Sequence, residues 1–495
     1  MSSWDAIIVG GGPAGAAAAM LLARWGHRVR VLTRAPRFGI AESLPPSIRR
    51  LLLELDLQEA VDAAPFYRSH GNTVWWGPGD GRTEAFPDGA TGYQVERPEF
   101  NRLVLDAADS AGATVVRDAT VRSVAIGENG VSVRFEAGGA SATARAPWVL
   151  DGSGRAGVLA RQGFRRPERG FATLALYAVW ERDGWALPDE THTLVESYER
   201  GWGWSIPISP AVRYVTVMVD PATSGRGRGG RALDEIYHAE LNRTSRLRDL
   251  VHDAVLRGSP KGLSASPYTA ATFGGPGWLL VGDAGSFVDP LSSFGVKKAL
   301  ASAWHAAVVV HTALTDVGMR GPALEFFEAR EREAYAQLTR QAAALFEEGA
   351  RWHSHPFWSA RAGAESDDLP TGEPDVDALR NDPVVLAAFD RLKQLPSIAL
   401  RPAAGVELVT RPLVRDHRIV LADHLKSGWT PHGLRYLRGV NLPRVLELVL
   451  ICEQVPDVYE AYNRVEPWAT LPDLLGVLSV LLAKGVLIQG ETTRD

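Results

Sequence analysis

The sequence predicts an α/β fold in which a mainly parallel sheet is interleaved with an antiparallel sheet and followed by a mainly helical C-terminal domain. An apolar strand at residues 5–9 leads through a glycine-rich turn into a helix that ends near Trp25 and a second strand at 29–32, which is a Rossmann-like β-α-β unit. Residues 171–220 alternate apolar and polar side chains with no helix between the strands, which is typical of antiparallel pairing. Beyond residue 400 the periodicity is mainly helical.

The remaining elements follow from the same periodicities. Alternation on both sides of Asn129-Gly130 predicts a hairpin, because this dipeptide suits the tightest hairpin turns. Residues 278–282 have the composition of a short buried strand. Helical patterns span residues 43–62, 92–110 (beginning near Pro98), 295–314 and 322–350.

Composition also divides the chain into domains. Residues 364–383 are acidic and carry Pro and Gly, which indicates a linker. The expected domains are residues 1–363, with an antiparallel substrate sheet inserted at about 165–265; residues 364–400, a linker and helix; and residues 401–495, a C-terminal domain. The last combines a strand at 418–421, helices near 441–452, 455–464 and 470–484, and a closing strand at 485–488, which suggests either a winged-helix-like peptide-binding module or a helical cap.

Composition excludes several classes of function. With 495 residues, 45% of them hydrophobic and 22% charged, we expect a soluble globular protein, and a net charge of −5 argues against a general nucleic-acid partner. The single Cys452 excludes intramolecular disulfides and thiolate zinc clusters, and His353 and His355 lack further metal ligands at useful spacing, so no metal is expected. The apolar run Ala14–Ala23 is too short to span a bilayer, and no signal peptide precedes the first strand, so we expect a cytoplasmic protein with no membrane partner.

The glycine-rich turn after the first strand matches the pattern G-x-G-x-x-G. Its residues are Gly10, Gly12, Pro13, Ala14 and Gly15. Such a turn lets a pyrophosphate approach the free N–H groups at the start of the following helix. The pattern alone is weak, since a second copy occurs at 225–230, but that copy lacks a β-α-β frame and is interpreted as a surface loop.

The second strand lacks the acidic residue that commonly binds ribose hydroxyls at its end. Thr33 stands there instead, and its hydroxyl is expected to bond a ribose less strongly than a carboxylate would. Arg34 follows and is expected to contact the adenine side or a phosphate, the alternative being a surface arginine.

A second cofactor motif, VGDAGSFVDPLSSFGV, spans residues 281–296. Asp283 follows a buried strand and is placed to accept a hydrogen bond from a ribityl hydroxyl. After Pro290, Gly295 and Val296 begin a long helix, whose N–H groups and dipole would stabilise the negative charge that a reduced flavin carries at N1 and the C2 carbonyl. Two further pieces fit the same cofactor: Arg97 at a helix start in RPEFNRL, and the segment DGSGR at 151–155.

The segment SYERGWGWSIPIS predicts a strand with one aromatic face. Residues two apart share a side of a strand, so Trp202, Trp204 and Ile206 form one apolar wall while Gly203 and Ser205 face away. Two indoles on one face are also compatible with ordinary core packing. The flavin motifs on either side of this strand favour a wall of the cofactor or substrate pocket.

Together these motifs resemble the group A flavoprotein monooxygenase superfamily over about residues 1–350. The AESLPP segment, with Glu42 and Ser43, is similar to the GESLLP segment of its flavin-dependent halogenase branch, and W-x-W-x-I-P is similar to that branch's signature. The resemblance implies a GR2-type fold that holds FAD in an extended form, with the isoalloxazine near Ser43 and the helix start at 295–296. It also implies that the tryptophan wall leaves no nicotinamide site, so that the partner is a separate flavin reductase or a briefly bound NAD(P)H-derived reductant.

The resemblance breaks at one position. Halogenases of this branch carry an essential lysine shortly before a G-x-T-x-x-W-G segment, which here begins at Gly71. That register puts Ser69 at the lysine position, and a hydroxyl offers no charged hydrogen bond. The first lysine of the chain is Lys261. Lys297 and Lys298 lie on the helix after the second cofactor motif; an exposed helix face is the preferred interpretation, and an approach of one of them to the flavin is the alternative.

Without that lysine, reduced flavin would still react with O2, and the resulting C4a-hydroperoxide would attack an electron-rich ring directly. The expected reaction is therefore hydroxylation of an aromatic substrate, an indole or a phenol. His70 is the preferred general base because its ordinary pKa lies near neutrality, although a structural role is the alternative; Glu42 and Glu196 are weaker choices. The expected catalytic positions are His70, Ser69 and Trp204.

Several alternatives stay open. The C-terminal segment resembles the winged-helix peptide-recognition domains of ribosomal-peptide modification systems, so the substrate is either a free aromatic or a Trp or Tyr in a peptide or protein, as in tryptophylquinone cofactor biogenesis. The other functions are a flavin-dependent halogenase with an unusual relay residue, and a flavin-binding partner that docks peptides without oxygenase chemistry. A reductase of isoprenoid alkenes shares the same frame but does not carry the W-x-W-x-I-P segment.

Overall fold

The computed structural model describes residues 4–34, 39–128, 130–168, 170–225, 232–292, 294–362, 376–394 and 400–489. The chain forms two compact units, Met1–Pro370 and Thr371–Asp495. The second glycine-rich copy, apart from Gly225, and residues 364–375 of the predicted linker lie outside the described residues. Within the described ranges, no helix is both long enough and apolar enough to cross a bilayer.

The first unit mixes strands and helices along its whole length. Its strands are β1 (Ala6–Val9), β2 (Val29–Leu32), β3 (Ala41–Leu44), β4 (Tyr67–Ser69), β5 (Gly71–Trp75), β6 (Arg82–Ala85), β7 (Gly92–Glu96), β8 (Thr114–Val116), β9 (Thr120–Gly127), β10 (Gly130–Ala137), β11 (Ala140–Ala146), β12 (Trp148–Asp151), β13 (Arg165–Pro167), β14 (Leu174–Glu181), β15 (Thr193–Tyr198), β16 (Gly201–Pro207), β17 (Val212–Val219), β18 (Val255–Ser264), β19 (Tyr268–Ala270), β20 (Gly274–Gly275) and β21 (Trp278–Leu280). Its helices are α1 (Pro13–Arg24), α2 (Arg49–Glu54), α3 (Gln58–Ala63), α4 (Arg97–Ser110), α5 (Leu233–Leu241), α6 (Arg246–Leu250), α7 (Gly295–Thr315), α8 (Arg320–Trp352) and α9 (Pro356–Ala362).

A six-stranded sheet in the order β20-β21-β12-β1-β2-β8 forms the centre of this unit. The strands from β21 to β8 run parallel, and β1 is buried over its whole length. Helix α1 packs against α4 and α7. Its side of that contact includes Ala16–Ala19, which are fully buried, and side chains this small let helices approach closely. The predicted β-α-β unit is confirmed.

The carboxyl ends of four of these strands meet at one edge of the sheet. The glycine turn follows Val9, Thr33 follows β2, Gly152 follows β12, and a 3₁₀ turn at Gly282–Ala284 follows β21. Ligands of open parallel sheets bind outside this edge, so the fold brings the separate cofactor motifs of the sequence together here.

A seven-stranded sheet in the order β18-β14-β17-β16-β15-β5-β6 forms the second layer. Neighbouring strands in this sheet pair antiparallel, except that β15 and β5 pair parallel. The antiparallel sheet predicted for residues 171–220 is therefore confirmed, and β5 and β6, from earlier in the chain, extend it. Helices α5 and α6 pack on one face through apolar residues that include Ile236, Leu247, Val215 and Val217. On the other face, the apolar side chains of the tryptophan strand, β16, line a cavity at the cofactor edge.

Smaller sheets complete the unit in the orders β11-β10-β9, β3-β7-β4 and β13-β19. Gly127 pairs with Gly130, which confirms the predicted hairpin. Two predicted helices begin later than expected. Residues 41–44 form a strand that pairs with β7, and the segment 92–96 is β7 itself; burial against each other overrides their helical pattern. The second helix then begins at Arg97, with proline in its first turn as its fixed φ allows.

The second unit is a small mixed domain with its own core. Its strands are β22 (Leu400–Pro402), β23 (Glu407–Arg415), β24 (Arg418–Lys426), β25 (Tyr436–Leu437), β26 (Val440–Asn441) and β27 (Leu487–Gln489), and its helices are α10 (Val376–Arg380), α11 (Pro383–Gln394), α12 (Leu442–Val449), α13 (Val455–Asn463) and α14 (Leu471–Ala483). Side-chain caps start two of the helices: Asn441 accepts from the Arg444 N–H, and Thr470 from the Asp473 N–H. The winged-helix interpretation stays a prediction.

Candidate active site

A cavity of about 990 Å³ lies at the carboxyl edge of the parallel sheet. Its lining brings together the glycine turn, Thr33, Arg34, Arg97, the 152–155 segment and Asp283, which are far apart in the sequence. A site of this size and position suits an extended dinucleotide.

The glycine turn has the shape that a pyrophosphate needs. Gly10 has a φ of +104°, and a Cβ there would collide with the carbonyl of Gly152. A Cβ on Gly15 would collide with the carbonyl of Gly10, so both glycines hold the turn tight against the start of α1. Helix α1 has Pro13 in its first turn and no acidic residue there, which leaves its N–H groups free for an anion. These features fit the phosphates of FAD.

Thr33 has a hydrogen-bonding role within the protein itself. Its Oγ1 accepts from the N–H of Gly11 at 3.1 Å, so the hydroxyl holds the glycine turn onto the end of β2. Thr33 and the exposed Arg34 both line the cavity. The ribose contact of Thr33 and the adenine or phosphate contact of Arg34 stay predictions.

A second cavity, of about 320 Å³, shares Arg97, Asn101, Gly154, Arg155 and Asp283 with the first. The shared lining shows that the two cavities adjoin, as the binding of an extended ligand requires. The position of the second cavity, at the far end from the glycine turn, is that expected for the flavin ring and its substrate.

The tryptophan strand forms one wall of this second cavity. Trp202, Trp204 and Ile206 all line it, whereas Gly203 faces Leu247 and the Ser205 hydroxyl accepts a hydrogen bond from Arg213. The shared face predicted for the three apolar residues is therefore confirmed. The two indoles are stacked with centroids 4.8 Å apart, and Trp202 is buried while Trp204 is half-buried.

Strand β3 supplies the polar side of the same cavity. Glu42 forms an ion pair with Arg97, and Ser43 Oγ accepts from Thr193 Oγ1 at 3.1 Å. Thr193 in turn accepts from the side-chain amide of Gln94 at 2.9 Å. This chain of bonds fixes Ser43 in the lining of the cavity.

Lys298 corrects an expectation from the sequence. It is only 8% exposed and lines the second cavity, because α7 turns this position inward; the exposed helix face predicted for it is wrong. Its ammonium donates to Asp283 Oδ1 at 3.3 Å and to the carbonyl of Ser286. Lys297, one residue earlier, instead reaches Ser47 Oγ at 3.2 Å.

The start of α7 closes the same end of the site. Pro290 and Gly295 line the second cavity, and Val296 is buried behind them. The first turn of α7 has no acidic residue, so it presents the positive end of the helix dipole, and Lys298 in this turn is paired with Asp283. That end favours a ligand that becomes anionic.

Ser69 and His70 line neither cavity. Ser69 is fully buried and donates to the carbonyl of Gly71 at 3.2 Å. His70 is exposed and bonds Thr191 Oγ1 through its ring and its N–H. This position, at the end of β4, gives no support to His70 as the general base.

Two other residues considered in the sequence, Glu196 as a weaker base and His353 as a metal ligand, have structural roles. Glu196 is buried and accepts from the N–H groups of Ser245, Arg246 and Leu247, so it caps α6. His353 stacks on Trp358 just after the end of α8. Among the described residues, no group of three or more His, Cys, Asp or Glu side chains is placed to hold a metal ion.

Asp289 was missed as a site residue, although it lies inside the second cofactor motif. It lines the second cavity, is 3% exposed, and has one carboxylate oxygen, Oδ2, with no hydrogen-bond partner. Burial raises its pKa to about 7 against the opposing effect of Arg361. The signal in the sequence was a single acidic residue between the apolar neighbours Val288 and Pro290.

Comparisons with known proteins agree with this geometry. A family model described as an FAD binding domain matches residues 3–341. A tryptophan 2-halogenase from Chondromyces crocatus is 32% identical over 375 residues, which cover 73% of this chain and 71% of the relative.

Solved structures extend the similarity to the whole chain. The flavin-dependent halogenase CmlS is 25% identical, with a TM-score of 0.78 over 100% of this chain and 97% of that one. The peptidyl tryptophan dihydroxylase QhpG, essential for tryptophylquinone cofactor biogenesis, shares the fold at 23% identity, with a TM-score of 0.70 over 97% and 99% of the two chains. The mixed α/β fold with a Rossmann-like sheet and a helical C-terminal region is thereby confirmed.

The matching family and the site residues agree on the cofactor, which is FAD. A flavoprotein of this kind requires a glycine turn, a cavity for the cofactor and a helix start that favours an anion, and this chain has all three. The protein is an oxidoreductase of the monooxygenase type. The chain belongs to the FAD-binding domain family of flavoproteins, in the flavin-dependent halogenase-like branch of the FAD-dependent monooxygenases.

Proposed function

We propose that this enzyme inserts one oxygen atom of O2 into a ring C–H bond of an indole or phenol, with electrons from reduced FAD. The observation that carries the proposal is the side chain at position 69, where the halogenase branch has its essential lysine. Ser69 is fully buried, and its hydroxyl is occupied by the carbonyl of Gly71. It offers neither a charge nor a free donor to a halogenating species.

The second cavity supports an aromatic substrate. Its stacked Trp202 and Trp204 present a flat apolar face to a planar ring, and Ile206 continues the same surface. Bound reduced FAD supplies electrons that activate O2 for oxygen transfer. The chain's own contribution is to exclude water with this wall and to stabilise negative charge at the start of α7.

The electrons are proposed to come from a separate flavin reductase, or from an NAD(P)H-derived reductant that binds briefly. In support, the resemblance implies that the tryptophan wall closes the side of the flavin where a nicotinamide would stack, and the residues of this wall line the second cavity. The glycine turn at residues 10–15 lines the first cavity, and FAD is the dinucleotide that the family binds. This turn is therefore assigned to FAD and not to a nicotinamide cofactor.

The substrate is proposed to be either a small free aromatic or a Trp or Tyr carried by a peptide or protein. The second unit supports the carried form, because it has its own apolar core and a long hairpin, β23-β24, whose β23 edge pairs with no other strand in the described residues. The β24 edge is bridged at Leu425 to Leu434. The β23 edge suits strand addition by an extended peptide.

Halogenation is the second candidate, and two observations favour it. The Chondromyces crocatus relative is a tryptophan 2-halogenase, and Lys298 brings an ammonium to the second cavity from another element. A lysine at that place would act as the relay only if its bonds to Asp283 and Ser286 were broken during turnover.

Reconstitution with and without halide separates the two reactions. Purified enzyme, a flavin reductase, NADH, FAD and O2 are supplied with indole, phenol or a tryptophan-containing peptide, in buffer free of chloride and bromide. A hydroxylase forms its product without halide, and added bromide does not change the product mass. A requirement for halide, with a brominated product, would replace the proposal with the second candidate.

A further inference from the structure

Asp289 directly precedes the 3₁₀ turn Pro290–Ser292 and is one of the residues that line the second cavity. Its Oδ1 accepts from the N–H of Leu291 at 3.2 Å, while Oδ2 has no hydrogen-bond partner. A buried carboxylate oxygen without a partner is costly, so its presence in a cavity wall points to a group that a ligand completes.

Arg361 lowers the pKa of Asp289 without donating a hydrogen bond to Oδ2. Arg361, on α9, is the cation that faces it, but the Arg361 fork donates to the carbonyls of Phe357 and Ala172 and to Thr173 Oγ1. The guanidinium also covers the ring of Phe357 at 3.8 Å. The other charged groups on the lining of the same cavity are Glu42, Arg97, Arg155, Asp283 and Lys298.

Aromatic substitution requires a proton acceptor at this place. Once oxygen has added to a ring carbon and the C–O bond has formed, the C–H bond at that carbon breaks and its electron pair restores the aromatic ring. O2 is the oxidant; its second oxygen atom leaves as water, and the two electrons come from NADH through the reductase and FAD. The released proton needs a base that reaches the ring, and His70 lies outside the cavity.

We propose that Asp289 is the catalytic base, its carboxylate accepting the proton that the aromatic ring loses; this rests on the proposed aromatic substitution in the second cavity. Burial raises the pKa of Asp289 to about 7, which suits a base that takes up and returns a proton near neutral pH.

Asp289→Asn tests the assignment with little change of shape. The amide oxygen still accepts from the Leu291 N–H, but the side chain no longer takes a proton. Glu331→Gln is the matched control, because Glu331 is a second buried acid whose pKa burial raises to about 7, yet it lines neither cavity. FAD affinity and melting temperature of both variants establish that they fold.

With the reconstituted system and indole, we expect product formation by Asp289→Asn to fall by about 100-fold or more, as for loss of a general base, while hydrogen peroxide rises. Ring-deuterated indole should slow the variant but not the wild type, because proton removal becomes rate-limiting; a residue that only shapes the turn would not cause this isotope effect. Glu331→Gln should keep the wild-type rate and the basic limb of its pH profile.

Three outcomes decide the question. Unchanged turnover and pH profile in folded Asp289→Asn would overturn the role of Asp289 and leave hydroxylation standing. A brominated wild-type product that is lost in the variant would keep Asp289 as the base and overturn hydroxylation. If the wild type modifies none of indole, phenol and the tryptophan peptide, infrared difference spectra decide. Subtracting the titration of Asp289→Asn from that of the wild type removes the signal of Glu331, whose pKa is also about 7. A carboxyl that still titrates near neutral pH in the difference supports the base, and a difference without one overturns it.

Discussion

The ammonium of Lys298 lies 3.3 Å from the carboxylate of Asp283, and both side chains line the second cavity. Lys298 is in the first turn of α7, so its charge adds to the positive end of the helix. The pair therefore places a buried cation, held in a fixed position, at the end of the site where the flavin ring is expected.

Lys298→Met should weaken the binding of reduced FAD relative to oxidised FAD. A unit charge acting over roughly 10 Å in a partly buried site changes this ratio by about tenfold, which lowers the two-electron potential of the bound flavin by about 30 mV. Spectroelectrochemical titration of the loaded protein measures it. Lys297→Met, which removes a charge outside the cavity, is the control; equal potentials in the two variants would contradict the role of Lys298.

Gly15→Ala should destabilise the protein even without FAD. The new methyl group would press on the carbonyl of Gly10, and overpacking of this kind costs about 1–3 kcal/mol in the free energy of unfolding. Gly12→Ala is the matched control, since a Cβ at Gly12 meets no atom within 4 Å. Urea denaturation of the apo-proteins compares them, and equal losses would show that the turn is not tightly packed.

Much of this site was predictable because its parts are local. The turn at residues 10–15 and the strand before Asp283 each carry a short pattern with a direct physical cause, and parallel topology brings their ends to one edge. The roles of Lys298 and Asp289 were not predictable, since they depend on how α7 is rotated and on which groups pack around the 3₁₀ turn. Glu196 shows the same limit: its cap on α6 joins residues about fifty positions apart.

Replacing each of the two tryptophans of the wall with alanine should have a different effect. Trp202 is 2% exposed, so Trp202→Ala should cost about 3–5 kcal/mol in the free energy of unfolding. Because Trp204 is only half-buried, Trp204→Ala should lower the free energy of unfolding by about half of that amount or less. The same change opens the second cavity to water, so it should raise the hydrogen peroxide released per reduced FAD. Trp468→Ala, at a 73% exposed site in the second unit, should change neither quantity.

Ser69 and His70 should tolerate alanine in catalysis. His70→Ala should lower turnover by less than about tenfold, whereas loss of a true general base costs about 10²–10⁴-fold. Ser69→Ala removes one hydrogen bond, to Gly71, and should cost about 1 kcal/mol of stability with little effect on rate. Steady-state rates with the same reductase settle both; a loss of 100-fold in His70→Ala would return the base assignment to His70.

Stability should fall as the pH rises toward 8. Burial raises the pKa of Glu331 to about 7, so the folded protein holds a proton that the unfolded chain releases at its ordinary, lower pKa. This contribution is complete below the unfolded pKa and is lost as the pH passes through about 7. Denaturation at pH 5, 6, 7 and 8 should show a smaller decline for Glu331→Gln than for the wild type; parallel declines would contradict the burial of this acid.

Oxygen-18 labelling tests the central claim most directly. The reconstituted enzyme is given ¹⁸O2 and bromide together with the aromatic substrate, and the product is weighed. Hydroxylation predicts a product that gains one oxygen atom, carrying the label, and no bromine. A brominated product without labelled oxygen would contradict the account and assign this chain the halogenase reaction of its relatives.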